Sequence, residues 1–148
     1  VEAGNLAHNG IMDLGRQGDW ASHNMEHELS AFYDCAHGAG LAVVTPAWMK
    51  YVYQKHIPMF VQFAVNVMGI EGSFREPEKL AYAGIRALEE FAVKIGLPVR
   101  MEELGIDETK FEEMAKMCTA GGTRTTGNLE KLTWVDVMAV YRLAMQGQ

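Results

Sequence analysis

One stretch of the chain has apolar residues spaced as an α-helix requires. Between Glu76-Pro77 and Gly96 they recur at steps of three and four residues. That spacing matches the 3.6 residues of a helical turn and predicts an amphipathic helix with one buried face. Proline suits the first helical turn, and Gly96 followed by Pro98 predicts the end of the helix. The apolar face consists of Leu80, Gly84, Ala87, Leu88, Phe91 and Ile95.

Related patterns predict helices along most of the remaining chain. A helix is expected from Asn5 to Leu14, and another from about His23 to Tyr33 with Asp19 or Ser22 as its cap. A nearly all-apolar run, Pro58 to Met68, ends at Gly69. These segments have the length and punctuation of helices in a packed domain.

The segment from Cys35 to Gly40 reads as a break rich in small residues. After it, Leu41 to Val44 is apolar on every side, which indicates a buried position. Thr45-Pro46 either starts a helix there or kinks one that begins near Gly38. A short buried strand is the weaker alternative for this segment.

Two further helix starts are marked by capping residues. Asp107 is placed to cap one helix, and Thr133 with Asp136 forms a variant of the capping box at another. The whole pattern predicts an all-α fold, a helical bundle of roughly six or seven helices. The 148 residues fit one helical domain, 1–148.

Composition excludes several classes of function. The formal charge is −6, from 13 basic and 19 acidic residues, which argues against a nucleic-acid partner. Polar residues interrupt every apolar stretch, so no membrane span is expected. Cys35 and Cys118 form no paired pattern and predict free thiols in a reducing cytoplasm. There is no glycine-rich dinucleotide motif after a strand and no Walker loop.

Three of the five histidines lie close together in the sequence, at His23, His27 and His37. On a helix, His23 and His27 share one face a turn apart, opposite the apolar side chains. That spacing alone places both imidazoles on one transition-metal ion, with His37 folding back after the break. Three imidazoles leave an open position, or one filled from outside the chain. The alternative is a pair of solvated surface histidines.

The same segment also contains the inverted zinc-protease motif, H-x-x-E-H, in which Glu26 activates water. Glu102 or Glu103 is then a candidate third ligand. A different class of function is a helical scaffold or dimerisation domain without chemistry of its own. Under that hypothesis, the chain binds no metal.

The residues from Trp20 to Ala42 resemble the metal-binding signature of the iron-containing (group III) alcohol dehydrogenases, and most of all their NAD(P)H-dependent butanol dehydrogenase branch. The resemblance extends over nearly the whole chain, and the histidine segment is its most specific part. Softer matches follow at Thr45 to Met49, Gly96 to Pro98, Glu103 to Ile106, Leu132-Thr133 and Asp136-Val137.

The resemblance implies a role for each histidine. Members of this family have an N-terminal dinucleotide-binding domain and a C-terminal helical domain that binds Fe²⁺, or sometimes Zn²⁺, through one aspartate and three histidines. His23 and His37 match the last two metal ligands. His27 matches a histidine that lines the pocket near nicotinamide and substrate without binding the metal, which implies a catalytic role. On this point the resemblance overrides the spacing argument.

The resemblance also implies that this chain is incomplete. The aspartate and first histidine ligand, four residues apart in the family, have no counterpart before His23. The nucleotide-binding domain is missing as well. The expectation is therefore an inactive half of a cytoplasmic, homodimeric enzyme. Intact, that enzyme interconverts small aldehydes and primary alcohols with NAD(P)H.

Overall fold

The regular structure of the chain is helical. The computed structural model describes residues 1–72 and 75–146, except for the side chains of Ala7, His8 and Met12. This part of the chain contains seven α-helices and no β-strand. Its β-type pairing is an isolated antiparallel bridge between Thr126 and Leu132. The predicted all-α class is confirmed.

The links between the helices range from three to sixteen residues, and several of them contain a 3-10 turn. In chain order the helices are α1 (Glu2–His8), α2 (Ala21–Tyr33), α3 (His37–Val52), α4 (Ile57–Asn66), α5 (Pro77–Lys94), α6 (Phe111–Cys118) and α7 (Trp134–Gln146). The 3-10 turns are Ile11–Asp13, Tyr53–Lys55, Met101–Leu104 and Glu108–Lys110. Because α3 contacts α2, α5 and α7, it lies at the centre of the packing.

Apolar side chains from α2 to α7 form one buried core. Its largest fully buried members are Tyr141, Phe111, Met25, Leu29 and Ile85. Within the described ranges, none of the helices has the length and apolar character needed to cross a lipid bilayer. The core fixes α2 and α3 against the rest of the bundle, and these two helices carry the three clustered histidines.

Two of the predicted helix boundaries differ from the structure. The helix expected from Asn5 to Leu14 is interrupted at Gly10, whose φ of 81° is left-handed, so α1 gives way to a 3-10 turn. The break predicted from Cys35 to Gly40 is only the three residues 34–36. α3 then continues through Pro46, as the kinked-helix alternative requires. The other alternative, in which a helix starts at Thr45-Pro46, was wrong.

The capping residues predicted at Asp107, Thr133 and Asp136 are in place. The Asp107 carboxylate accepts the backbone N–H of Thr109 at 2.9 Å, at the 3-10 turn that leads into α6. Thr133 and Asp136 cap each other at the start of α7: Asp136 accepts the N–H of Thr133 at 2.7 Å, and its own N–H donates to the Thr133 hydroxyl at 3.4 Å. This reciprocal pair is the predicted capping box.

Two contacts hold the α4–α5 pair in the bundle. Gly84 of α5 lies so close to α4 that a Cβ atom there would be 2.6 Å from Cβ of Ala64. Lys50 of α3 and Glu89 of α5 form an ion pair of 2.6 Å, with side chains 10% and 4% exposed. A polar link between two helices is therefore part of the interior.

Candidate metal centre

The three histidines singled out in the sequence come together in space. The ring centroids of His23 and His27 are 4.4 Å apart, those of His23 and His37 are 4.7 Å apart, and those of His27 and His37 are 5.5 Å apart. His23 is partly buried, whereas the other two are exposed. An edge-on contact with Trp20, at 5.0 Å, flanks His23. The cluster therefore opens to solvent on the side of His27 and His37.

The donor set fits a transition-metal ion. One ring nitrogen from each of His23, His27 and His37 lies within 4.8 Å of the others. Two nitrogens bound at about 2.1 Å to one tetrahedral Zn²⁺ lie roughly 3.4 Å apart. The donor atoms would therefore have to approach one another by at most about 1.5 Å to share one ion. Neutral imidazole is a good ligand for iron and zinc.

A tight reversal of the chain brings His37 to the other two histidines. α2 ends at Tyr33, and Asp34 takes a left-handed conformation with φ 50° while its N–H bonds to the carbonyl of Ser30. Three residues later α3 begins at His37. Aspartate tolerates this conformation better than most residues. The reversal places the first turn of α3 beside the middle of α2.

A buried carboxylate lies directly behind His37. Glu26, in the middle of α2, is 0% exposed. Its Oε1 accepts the hydroxyl of Ser30 at 2.5 Å, and its Oε2 pairs with Nδ1 of His37. With Nδ1 occupied in this way, Nε2 is the ring nitrogen left to face the histidine cluster.

Gly40 provides the space for this carboxylate. A Cβ atom at Gly40 would lie 2.5 Å from Oε1 of Glu26 and 2.7 Å from its Cγ. The sequence analysis placed Gly38 and Gly40 in the break between two helices, and that placement was wrong because both residues are helical. A Cβ at Gly38 would meet nothing within 4 Å. Of the two glycines, Gly40 is the one that close packing requires.

The start of α2 is fixed by Asp19. Its Oδ1 accepts the N–H of Ala21 at 2.8 Å. The cap position itself is held by Trp20, so neither Asp19 nor Ser22 is the cap as predicted. Oδ2 of Asp19 accepts the N–H groups of Asn128 and Leu129, both at 2.7 Å. One carboxylate thus joins the first turn of α2 to the loop before α7.

Two further hydrogen bonds hold the middle of α2. The side-chain amide of Asn24 donates to the Thr126 hydroxyl at 3.0 Å. The buried Tyr141 hydroxyl donates to the carbonyl of Met25 at 2.9 Å. Because Asn24 and Met25 lie between His23 and His27 in the sequence, these bonds tie the segment of α2 that carries both histidines to α7 and the loop before it.

Both cysteines are free, and their surroundings keep them protonated. Burial raises the pKa of the Cys118 thiol to about 12, the Glu28 carboxylate adds to this shift, and a hydrogen bond with Thr126 opposes it. Burial also raises the pKa of Cys35, against a hydrogen bond with Ser30. Because metals bind the thiolate, neither thiol is a good ligand at neutral pH. The histidines remain the better donors.

The protease hypothesis made Glu26 the residue that activates water, and its buried position does not suit that role. A water-activating glutamate needs access to a bound water, but this carboxylate is fully buried and occupied by Ser30 and His37. Glu103, a candidate third ligand, accepts the N–H of Val99 at 3.3 Å instead. Sequence reasoning found the three histidines and missed that Glu26 supports one of them.

Comparison with known proteins identifies the family. The model of the "Fe-containing alcohol dehydrogenase family, C-terminal" matches residues 1–145. NADH-dependent butanol dehydrogenase A of Clostridium acetobutylicum is 37% identical over 95% of this chain. The NADPH-dependent aldehyde reductase YqhD of Escherichia coli is 29% identical over 96% of the chain. In both comparisons the chain spans 36% of the relative's length.

Solved structures show the same likeness. The NADH-dependent butanol dehydrogenase A of Thermotoga maritima superposes with a TM-score of 0.85 at 40% identity, over 95% of this chain and 36% of that one. Escherichia coli YqhD superposes with a TM-score of 0.83 at 27% identity, over 93% and 35%. The chain belongs to the iron-containing alcohol dehydrogenase family and corresponds to its C-terminal, all-helical part.

Proposed function

We propose that this chain is the metal-binding, catalytic half of an NAD(P)H-dependent alcohol dehydrogenase that interconverts aldehydes and primary alcohols. The observation that carries the proposal is the convergence of His23, His27 and His37, with donor atoms within 4.8 Å of one another. Membership of the family, with butanol dehydrogenases and an aldehyde reductase among the relatives, supports this reaction class.

Each histidine has a separate task in this proposal. His23 and Nε2 of His37 hold the metal, Fe²⁺ or Zn²⁺. His27 moves a proton at the substrate oxygen, a role supported by its exposure and by a ring that is 5.5 Å from that of His37, against 4.7 Å for His23. The metal would supply Lewis-acid polarisation of that oxygen, and NAD(P)H the hydride.

The remaining parts of the enzyme lie outside this chain in our proposal. The chain spans only 36% of the length of the Clostridium relative. We therefore assign to the rest of a longer protein an aspartate ligand, a third histidine ligand and the nucleotide-binding domain. The chain by itself is then inactive. The intact enzyme is proposed to be a cytoplasmic homodimer, an environment that suits the two free cysteines.

Substitution of the histidines in the full-length protein tests these roles. His23→Ala and His37→Ala should lose bound metal and NAD(P)H-dependent reduction of butanal together. His27→Ala should keep its metal and lower kcat by about 10²–10⁴-fold, the range of general acid–base catalysis. Elemental analysis gives the metal content, and NAD(P)H absorbance gives the rate.

His56→Ala is the matched control, since His56 bonds to Glu130 outside the cluster. It should keep both metal and rate. Full metal content and a normal rate in His23→Ala would overturn the proposal. Loss of metal in His27→Ala would instead assign that residue to the metal, as its spacing from His23 alone predicts.

A further inference from the structure

The buried carboxylate of Glu26 connects the two helices that carry the histidine cluster. It is on α2 with His23 and His27, yet its Oε2 pairs with Nδ1 of His37 on α3. Removing a carboxylate from water completely is costly unless its oxygens are bonded. Here both oxygens are used, since the Ser30 hydroxyl donates to Oε1 at 2.5 Å.

Of the two glycines in the first turn of α3, Gly40 is the one that leaves room for this carboxylate. A Cβ at Gly40 would overlap Oε1 and Cγ of Glu26, whereas a Cβ at Gly38 would lie in open space. A helical glycine costs stability relative to alanine. The contact with Glu26 gives a physical reason for glycine at position 40. At position 38 no neighbouring atom excludes a side chain.

This contact has a chemical consequence for His37. An imidazole that donates Nδ1–H to a carboxylate carries its lone pair on Nε2, and the carboxylate orients the ring. The side chain of His37 is 45% exposed, so packing by itself restrains the imidazole ring only weakly. The bond to Glu26 adds the restraint that directs the ring toward His23.

We propose that Glu26 is a positioning residue that selects Nε2 of His37 as the atom that would bind the metal and keeps the His37 ring directed toward the cluster with His23. The inference rests on the proposed function, because it requires a metal at the histidine cluster. It assigns Glu26 a role in metal affinity without direct contact with metal or substrate.

The test is titration of metal-free, full-length protein with Co²⁺, followed by its visible absorption. Glu26→Gln removes the charge, and Gly40→Ala displaces the carboxylate without removing it. Both should weaken Co²⁺ binding by roughly 10–100-fold, the usual effect of changing a residue behind a metal-bound histidine. Both should also alter the absorption spectrum, and they should lower kcat while the KM for NAD(P)H stays unchanged.

Two control variants separate positioning from loss of stability. Gly38→Ala adds the same methyl group two residues earlier, in open space, and should bind Co²⁺ as the wild type does. Glu89→Gln removes a different buried carboxylate, the partner of Lys50, and should lower stability with an unchanged Co²⁺ affinity.

The outcomes distinguish this inference from the proposed function. Wild-type Co²⁺ affinity and spectrum in Glu26→Gln, while His23→Ala abolishes binding, would overturn the role of Glu26 and leave the metal site standing. Wild-type protein that binds no Co²⁺, or binds it equally well after His23→Ala, would overturn both.

Discussion

Gly84 shows how a single missing methyl group sets the distance between two helices. A Cβ atom there would lie 2.6 Å from Cβ and 2.7 Å from Cα of Ala64, and the second contact is with backbone that cannot rotate away. We expect Gly84→Ala to lower the free energy of unfolding by about 1–3 kcal/mol, because overpacking outweighs the gain in helix propensity.

Urea unfolding followed by helical circular dichroism measures this effect. Gly38→Ala is again the matched substitution, since it adds a methyl group to a helix where nothing lies within 4 Å. It should be neutral, or stabilising by up to about 1 kcal/mol. Equal effects of the two substitutions would show that α4 and α5 are not packed at van der Waals contact at Gly84.

Individual residues also mark the limit of what sequence predicts at the site. His23 and His27 could be found because their spacing puts them on one helical face, and His37 because it follows closely. Glu26 could not be assigned correctly. In the sequence it occupies the catalytic position of H-x-x-E-H, and only its burial and its contact with His37 give it a different task.

Among the helices, the termini marked by side-chain hydrogen bonds were the most predictable. The capping box of Thr133 and Asp136 is local, so it can be recognised from a spacing of three residues. The interruption of the first predicted helix at Gly10 was missed because glycine both weakens helices and occurs within them. Pro46 left two alternatives open, and packing of α3 against its neighbours decides between them.

The cap of α7 also makes a tertiary contact. Asp136 accepts the Thr133 hydroxyl, and its Oδ1 accepts the Tyr51 hydroxyl of α3 at 2.6 Å. Burial alone would raise the pKa of Asp136, but these hydrogen bonds outweigh burial and lower it below the ordinary 3.8. They act in the opposite direction on Tyr51, where the bond to Asp136 raises the pKa to about 12.

Asp136→Ala should therefore lower the free energy of unfolding by about 1–2 kcal/mol near neutral pH, since it removes both the cap and the link to α3. A carboxyl with a lowered folded-state pKa stabilises fully above pH 3.8 and loses this effect as pH falls through the folded value. The difference from wild type, measured by urea unfolding, should shrink below that pH. Tyr51→Phe should cost less, because the cap remains. A difference independent of pH would contradict this account.

Across the whole molecule, α3 joins two regions with different tasks. Its first turn carries His37 to the histidine cluster, and its last turns hold α5 through the ion pair of Lys50 and Glu89. The sequence predicted the helices but not this arrangement, because a lysine and a glutamate 39 residues apart carry no signal of contact. The buried ion pair and the proposed metal ligand thus lie at opposite ends of one helix.

The ion pair gives a direct test of that separation. Lys50→Met leaves Glu89 buried without its partner and should cost about 3–5 kcal/mol, whereas Lys50→Met combined with Glu89→Leu should restore or exceed wild-type stability. The restoration is expected because Oε2 of Glu89 has no hydrogen-bond partner within the described residues, so the native pair is incompletely satisfied. A double-mutant cycle in urea measures the coupling.

The double variant should also bind Co²⁺ as tightly as wild type, and weaker binding would mean that the two ends of α3 are not independent.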